Sequence, residues 1–297
     1  MTAPNVGFVS MPAAEYHADP CAVPSLSSHC AATIVTKSPM HAWHEHPRLG
    51  AAKRTLPTKS LRGGSLAHEL LLRPADEVDS SIVVVKADSF RTKAAQAQRD
   101  EAIEAGKLPV LEREFEKASI ACGHIAARLI EYDIRLNGLS EIAAFWQEIA
   151  SDGTVVQCRA LMDHVIRAEG LIYDLKSCRS AHPRAIQKAI ESYSYHIQSA
   201  AYTRGVERIE PKLVGRVKYR WLFVELTEPY VVVPAEPAGS MRQLGDARWT
   251  QAIDTWAHCT ATGEWPAYSR GEVLRIEASP WALERAVESE EEGEVAA

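Results

Sequence analysis

Absences narrow the class of this 297-residue chain before any motif does. No apolar run approaches the roughly 18 residues of a membrane span. No basic segment followed by an apolar core stands near the start, so neither a membrane partner nor a signal peptide is expected, and the expected location is the cytoplasm. The six cysteines, Cys21, Cys30, Cys122, Cys158, Cys178 and Cys259, form no CxxC pair, which argues against a zinc ribbon and predicts free thiols. A GxxxxGK[ST] loop is missing, so no ATP-driven motor is expected. There is no internal repeat. Positive charge is also scarce: 33 Lys and Arg stand against 39 Asp and Glu, a net charge of −6. Part of that excess sits in the acidic run Glu288 to Glu294, which is expected to be disordered.

What remains is the composition of a folded globular protein, 46% hydrophobic and 24% charged, long enough for one large domain or two small ones. Its most informative stretch runs from Glu141 to Tyr202. Two apolar, β-favouring runs flank Ala168-Glu169-Gly170 and predict a β-hairpin. With a two-residue loop, Arg167 pairs with Gly170 and Asp163 falls opposite Asp174, Cβ atoms roughly 4.5–5.5 Å apart. Lys176, two residues on, shares that face. A three-residue loop would instead turn Asp163 to the other face. Opposed carboxylates repel in a sheet, and a divalent cation between them reverses the sign. A neighbouring lysine can hold a water or a phosphate oxygen. Asp163, Asp174 and Lys176 therefore suggest metal-dependent phosphodiester hydrolysis. Counting back across the Ser151-Asp152-Gly153 turn brings Glu141 near Asp163, with Glu148 as its rival.

The rest of the chain frames this hairpin. Residues 1–36, rich in Pro and Ser, are expected to form an extended arm with short turns or helical pieces, residues 37–282 the main domain with a helical elaboration at about 87–138, and residues 283–297 an acidic tail. Between Lys37 and Arg62, a cluster that includes Arg48, Lys53, Arg54, Lys59 and Arg62 faces a single acidic residue, Glu45, and forms a candidate phosphate-contacting surface; Arg204 and the basic residues after it extend it. His41, His44 and His46 have poor spacing for zinc. Ser65 to Leu72 predicts a short helix ended by Pro74, with His68 beside a ridge of Leu66 and Leu70. Strands are expected at 80–86, 141–149, 154–167, 212–225 and 230–234. Helices are expected at 92–105, 112–132, 183–206 and 245–262, with Trp249, Trp256 and Trp265 in the core.

The pattern of Asp163 followed by Asp174-x-Lys176 resembles the PD-(D/E)xK nuclease superfamily. Gln198-Ser-Ala-Ala-Tyr202 resembles the QxxxY motif of its RecB-type branch, and Gly64 to Leu72 that branch's helical histidine motif. Tyr16-His-Ala-Asp-Pro20, Ser38-Pro39 with Trp43, and Thr262-Gly-Glu-Trp265-Pro-Ala-Tyr268 resemble the opening and closing segments of RecE-type exonuclease domains, those of exodeoxyribonuclease VIII, so the likeness spans about residues 16–268. It implies an α/β (α+β) fold with a central mixed β-sheet flanked by helices. It implies metal held by His68, Asp163, Asp174 and the Leu175 carbonyl, and catalytic roles for Lys176, Glu141, Gln198 and Tyr202. The cofactor would be Mg²⁺, with Mn²⁺ as a substitute, without ATP. Some relatives carry an iron–sulfur cluster on cysteines after the core; only Cys259 follows Cys178, so none is expected. The implied activity is 5′→3′ digestion of double-stranded DNA ends to 5′-phosphate products, in a homo-oligomeric ring (a tetramer favoured), supplying a RecT-type annealing protein. The competing readings are a non-catalytic DNA-binding protein on the same fold and a structure-specific endonuclease.

Overall fold

The computed structural model describes residues 6–50, 59–73, 78, 81–269 and 273–285, with side chains 59–63 outside the description. Lys53, Arg54 and the acidic run 288–294 therefore lie outside the described residues, as do the side chains of Lys59 and Arg62. The chain forms two compact units, Met1–Trp265 and Pro266–Ala297. No helix among the described residues is long and apolar enough to cross a membrane.

The first unit is built on a mixed sheet. Its spine runs β1 (Gly7–Val9), β5 (Leu139–Ile149), β6 (Val155–Ile166), β7 (Leu171–Cys178), β8 (Lys218–Glu225) and β9 (Val232–Ala235), with β2 (Leu26–Ser27) beside β6. Neighbours are antiparallel except at β7–β8 and β2–β6, which are parallel. The β7–β8 crossover carries α7 (Pro183–Ser192) and α8 (Tyr195–Ile209), as parallel neighbours require. β3 (Ile82–Val85) and β4 (Leu108–Leu111) form a separate parallel pair.

Helices cover both faces. Against one face pack α2 (Ser28–Thr36), α8 and α9 (Gly239–Thr262), and buried Trp146, Trp221, Trp249 and Trp256 fill the space between. Trp265 closes this layer edge-on to Trp256, just past Gly263, whose φ of 74° ends α9. Against the other face α6 (Glu112–Glu131) sets Ile125 and Leu129 on Leu171, Tyr173, Leu175, Leu222 and Val224. The elaboration expected at 87–138 contains α5 (Lys93–Glu104), capped by the Thr92 hydroxyl, together with β4 and α6. Leu66 of α4 (Lys59–Leu72) packs there on Val78, Ile82 and Val110.

α8 and α9 approach closely because Gly245 has no side chain. A Cβ there would lie 2.3 Å from the His196 carbonyl oxygen, a backbone atom that cannot yield alone. Gly245→Ala is expected to cost about 2 kcal/mol, as overpacking a tight contact does. Urea unfolding of the two proteins measures it; an unchanged midpoint would mean that the helices separate freely.

Residues 6–36 are more tightly built in than the expected arm. β1 and β2 belong to the sheet and α2 to the core, and a polar lock holds the connection. Asp19, fully buried, receives the Ser25 amide (2.9 Å) and hydroxyl (2.7 Å), and its carboxylate meets Arg159 at 3.1 Å and His46 at 3.3 Å. Burial alone would raise its pKa, but His46, Arg159 and Ser25 outweigh it and bring the carboxyl down to about 2. In the next motif Ser38 accepts the His41 amide and caps α3 (Pro39–Glu45), with Pro39 in its first turn.

Candidate active site

β6 is shared along one edge. Its residues 164–166 pair with β7, whereas residues 158 and 159 pair with β2. Asp163 sits where β6 leaves β7. The hairpin turn spans four residues, Arg167 to Gly170, rather than two, yet the last pair is Ile166 with Leu171 and the next is Val165 with Ile172. That register is the expected one, and continued by one step past His164–Tyr173 it sets Asp163 opposite Asp174. There the ladder opens, and the Leu175 amide donates instead to Asp163 Oδ2 at 2.7 Å.

Glu141 arrives by the same arithmetic. The β5–β6 pairs Ser140–His164 and Ile142–Met162 flank the position where Glu141 would face Asp163. Glu141 leaves the ladder because its backbone is left-handed, with φ of 48°. Buried His164 supports this distortion: its Nε2 accepts the Gly138 amide at 2.9 Å, which directs Nδ1–H to the Ser140 hydroxyl at 2.8 Å. Burial brings the His164 pKa down to about 4, so the ring is neutral and both bonds hold near neutral pH. Left-handed backbone costs a residue with a Cβ roughly 1–2 kcal/mol. Glu141→Gly and Glu141→Gln should both abolish the cation site, and the glycine variant should be the more stable by about 1 kcal/mol. Comparing their thermal melts isolates the strain; equal melting temperatures would show there is none.

The third partner comes from α4. Gly64 lies one turn before His68 on the same face, and a Cβ there would already be 3.0 Å from the Ser177 hydroxyl. This close approach sets His68 over β7. Its Nε2–H donates to the Leu175 carbonyl at 3.1 Å, and Nδ1 faces Asp163 Oδ2 at 3.6 Å and Glu141 Oε1 at 3.7 Å. Ligand atoms of His68, Glu141 and Asp163 all lie within 4.8 Å of one another. Oxygens around a Mg²⁺ at about 2.1 Å stand roughly 3–4 Å apart, so this set fits a divalent cation. The field agrees. Burial would lower the His68 pKa, but Asp163 and Glu141 outweigh it and push it up to about 9: the site favours positive charge.

Asp174 and the Leu175 carbonyl, the other two expected ligands, each meet a protein partner. Asp174, 1% exposed, has its Oδ2 2.5 Å from Lys176 Nζ, and its Oδ1 accepts the Gln198 amide at 2.9 Å. Burial raises its pKa to about 6 despite the opposing lysine. The Leu175 carbonyl accepts from His68 and so fixes which imidazole nitrogen is free for a cation. Gln198 reaches the site through that bond to Asp174, and Tyr202, itself buried, donates to the Leu161 carbonyl at 3.0 Å. Glu148 is no rival to Glu141: it is fully buried between Trp146, Trp249, Arg204 and Arg208.

Two of the expected DNA contacts have partners within the protein. Arg204, partly exposed, ion-pairs with buried Glu148 at 2.9 Å and also bonds the Thr250 hydroxyl. Arg48 donates to the carbonyls of Cys21 and Ala22 and so braces the first segment. Sequence reasoning missed Tyr195, whose ring lies 4.5 Å from Lys176 Nζ, and the part of the first segment, Ala13 and His17, that lines the cleft. The only signal was an aromatic close before Gln198. The cleft, about 580 Å³, also contains His68, Glu141 and Lys176.

Comparison with known proteins gives this geometry a context. A family model described as a PDDEXK-like domain of unknown function (DUF3799) matches residues 36–275. Among curated proteins, nothing matches the chain. The crystal structure of a candidate exonuclease from Eubacterium rectale is similar in fold, with a TM-score of 0.58 at 13% identity over 93% of this chain and 98% of that one. A phage-related exonuclease from Haemophilus somnus 129PT aligns at 11% identity over 80% and 96% of the two chains, with a TM-score of 0.31.

Proposed function

The chain belongs to the PDDEXK-like family (DUF3799), a nuclease family by its fold, and on that premise we propose that it is a metal-dependent exonuclease acting on the ends of double-stranded DNA without ATP. The observation that carries this reading is the meeting of His68, Glu141 and Asp163 with Lys176 in one open cleft. His68 Nδ1, Glu141 and Asp163 would hold the cation, Mg²⁺ or Mn²⁺. When bound, it supplies Lewis-acid stabilisation of phosphate charge and acidifies water.

The chain's own side chains do the remainder. Lys176 carries the charge that holds the attacking water or a phosphate oxygen, and both Asp174 and Asp163 raise its pKa against burial, so it stays protonated. Asp174 fixes the ammonium, Gln198 fixes Asp174, and the Tyr195 face shields the pair from water. In-line attack that expels the 3′-oxygen leaves a 5′-phosphate. The finer reading is 5′→3′ digestion in a ring of identical subunits, a tetramer favoured, that hands 3′ tails to a RecT-type annealing protein. The E. rectale neighbour, described as a candidate exonuclease, supports the exonuclease reading alone; polarity, ring and annealing partner rest on the sequence resemblance.

End-labelled linear duplex and covalently closed circular DNA, incubated with Mg²⁺ and no ATP, provide the test. The linear duplex should shorten from its 5′ ends and the circle should survive. Cutting of the circle would replace the reading by an endonuclease, and binding without hydrolysis by a non-catalytic DNA-binding protein.

A further inference from the structure

One wall of the cleft holds two tyrosines that a regular helix could not place together. Tyr193 and Tyr195 are two residues apart, and residues i and i+2 of a continuous helix do not share a face. Here α7 ends at Ser192, Tyr193 caps it, and Ser194 is left-handed with φ of 58° before α8 begins. That conformation is unfavourable for a residue with a Cβ, and no side-chain cap accompanies it. The break turns both rings into the cleft that contains His68, Glu141 and Lys176. Their centroids are 5.6 Å apart and their planes inclined by 30°. Tyr195 is the inner ring, against the Lys176 ammonium at 4.5 Å. Tyr193 is the outer one, 69% exposed.

The two rings thus lead outward from the ammonium to solvent. The inner one is spent on Lys176. The outer one keeps a large aromatic area in water at the cleft mouth, where it contributes little to the core. A phosphate held at Lys176 would have this ring in the same cleft, one aromatic further out. Aromatic side chains beside a phosphate-binding group are how proteins hold single strands, because every base has a π-face to stack.

We propose that Tyr193 is the stacking platform for the base of the nucleotide whose phosphate sits at Lys176, so that the cleft takes an unpaired strand end and not an intact base pair. The proposal rests on the nuclease reading and deepens it: the substrate at the chemical step is a frayed single strand, read without regard to sequence. Tyr193 is a specificity-determining residue, and Ser194 is the bend that presents it.

A coupling experiment tests this with 5′-phosphorylated single-stranded oligonucleotides whose terminal linkages are phosphorothioates, which keeps them uncut. Affinity is measured by fluorescence anisotropy with Mg²⁺ present, for an intact oligonucleotide and for a set carrying one abasic nucleotide stepped inward from the end. Tyr193→Ala should weaken binding of the intact oligonucleotide about tenfold, and Tyr193→Phe should preserve it. One abasic position should cost the wild type the same factor, and at that position Tyr193→Ala should cost nothing more. Tyr193 is largely in solvent, so the alanine variant should fold, and circular dichroism checks that it does. Strong binding indifferent to both Tyr193 and every abasic position overturns the platform and leaves the nuclease reading standing. Additive losses, with no shared position, overturn it as well. A protein that binds neither single nor double strands removes both readings, a result plainly different from the other two.

Discussion

Lys176→Ala should lower the rate of end digestion about 10³-fold, the effect of removing a positioned charge from a phosphoryl site. Single-turnover digestion with enzyme in excess is the appropriate measurement, because it separates chemistry from product release. The same substitution should steepen the pH dependence of the metal-free protein's stability and extend it to higher pH. Burial raises the Asp174 pKa to about 6, and Lys176 is the strongest influence opposing that rise. Without the ammonium, the carboxyl of Asp174 moves further up. A carboxyl whose folded pKa exceeds its unfolded value of 3.8 favours the fold when protonated. Its contribution is whole below the unfolded value and drains away as pH rises through 6 and beyond. The variant should therefore melt at progressively lower temperature between pH 5 and pH 8. A double variant that also carries Asp174→Asn should lose the part of that slope that Asp174 contributes, leaving above pH 6.5 only the loss that His68 causes. A Lys176→Ala protein that keeps its activity would show that the attacking water is held elsewhere. One with flat stability across this range would show that Asp174 is reached by solvent.

The parts of the site legible in the sequence are those set by strand register. Asp163, Asp174 and Lys176 come together because residues on paired strands keep their partners as long as the turn between them stays symmetric. A turn of four residues in place of two left the count unchanged. Glu141 follows from the same arithmetic across the β5–β6 turn, but its left-handed backbone does not, since no local residue signals it. The bond from Gln198 to Asp174 was out of reach for a different reason. Residues 183–206 have continuous helical periodicity, and the break at Ser194 that aims α8 is a tertiary event. The basic residues show the limit most clearly. Arg48 and Arg204 look alike in a charge pattern, yet their partners are carbonyls 26 and 27 residues away for one and a buried glutamate 56 residues away for the other. The first segment lacks apolar periodicity because what anchors it is a polar lock centred on Asp19, and hydrophobic patterning cannot reveal such a lock.

Metal affinity should rise about tenfold per pH unit from near pH 6.5 until about pH 9, and each cation bound near pH 7.5 should release close to one proton. The reason is His68. Its environment contains Asp163 and Glu141, which raise its pKa, and Lys176, which lowers it; the carboxylates outweigh both the lysine and burial, and the pKa stands at about 9. Near neutrality the metal-free ring is therefore an imidazolium, with Nε2–H on the Leu175 carbonyl and Nδ1–H aimed at the two carboxylates. A cation can take Nδ1 only once that proton has left, so proton and metal compete for one position. Calorimetric titration of Mn²⁺ in buffers of different ionisation enthalpy counts the proton, and repeating it at several pH values gives the slope. His68→Ala should remove both the release and the slope. The sign for the metal-free fold runs the other way. A histidine whose folded pKa is raised contributes stability that is complete below 6.5 and lost as pH climbs through 9, so the metal-free protein should melt earlier at high pH and bound metal should restore it there. Metal binding with no proton released and no pH slope would place the cation away from Nδ1, and the set of His68, Glu141 and Asp163 would then be an ion cluster without a guest.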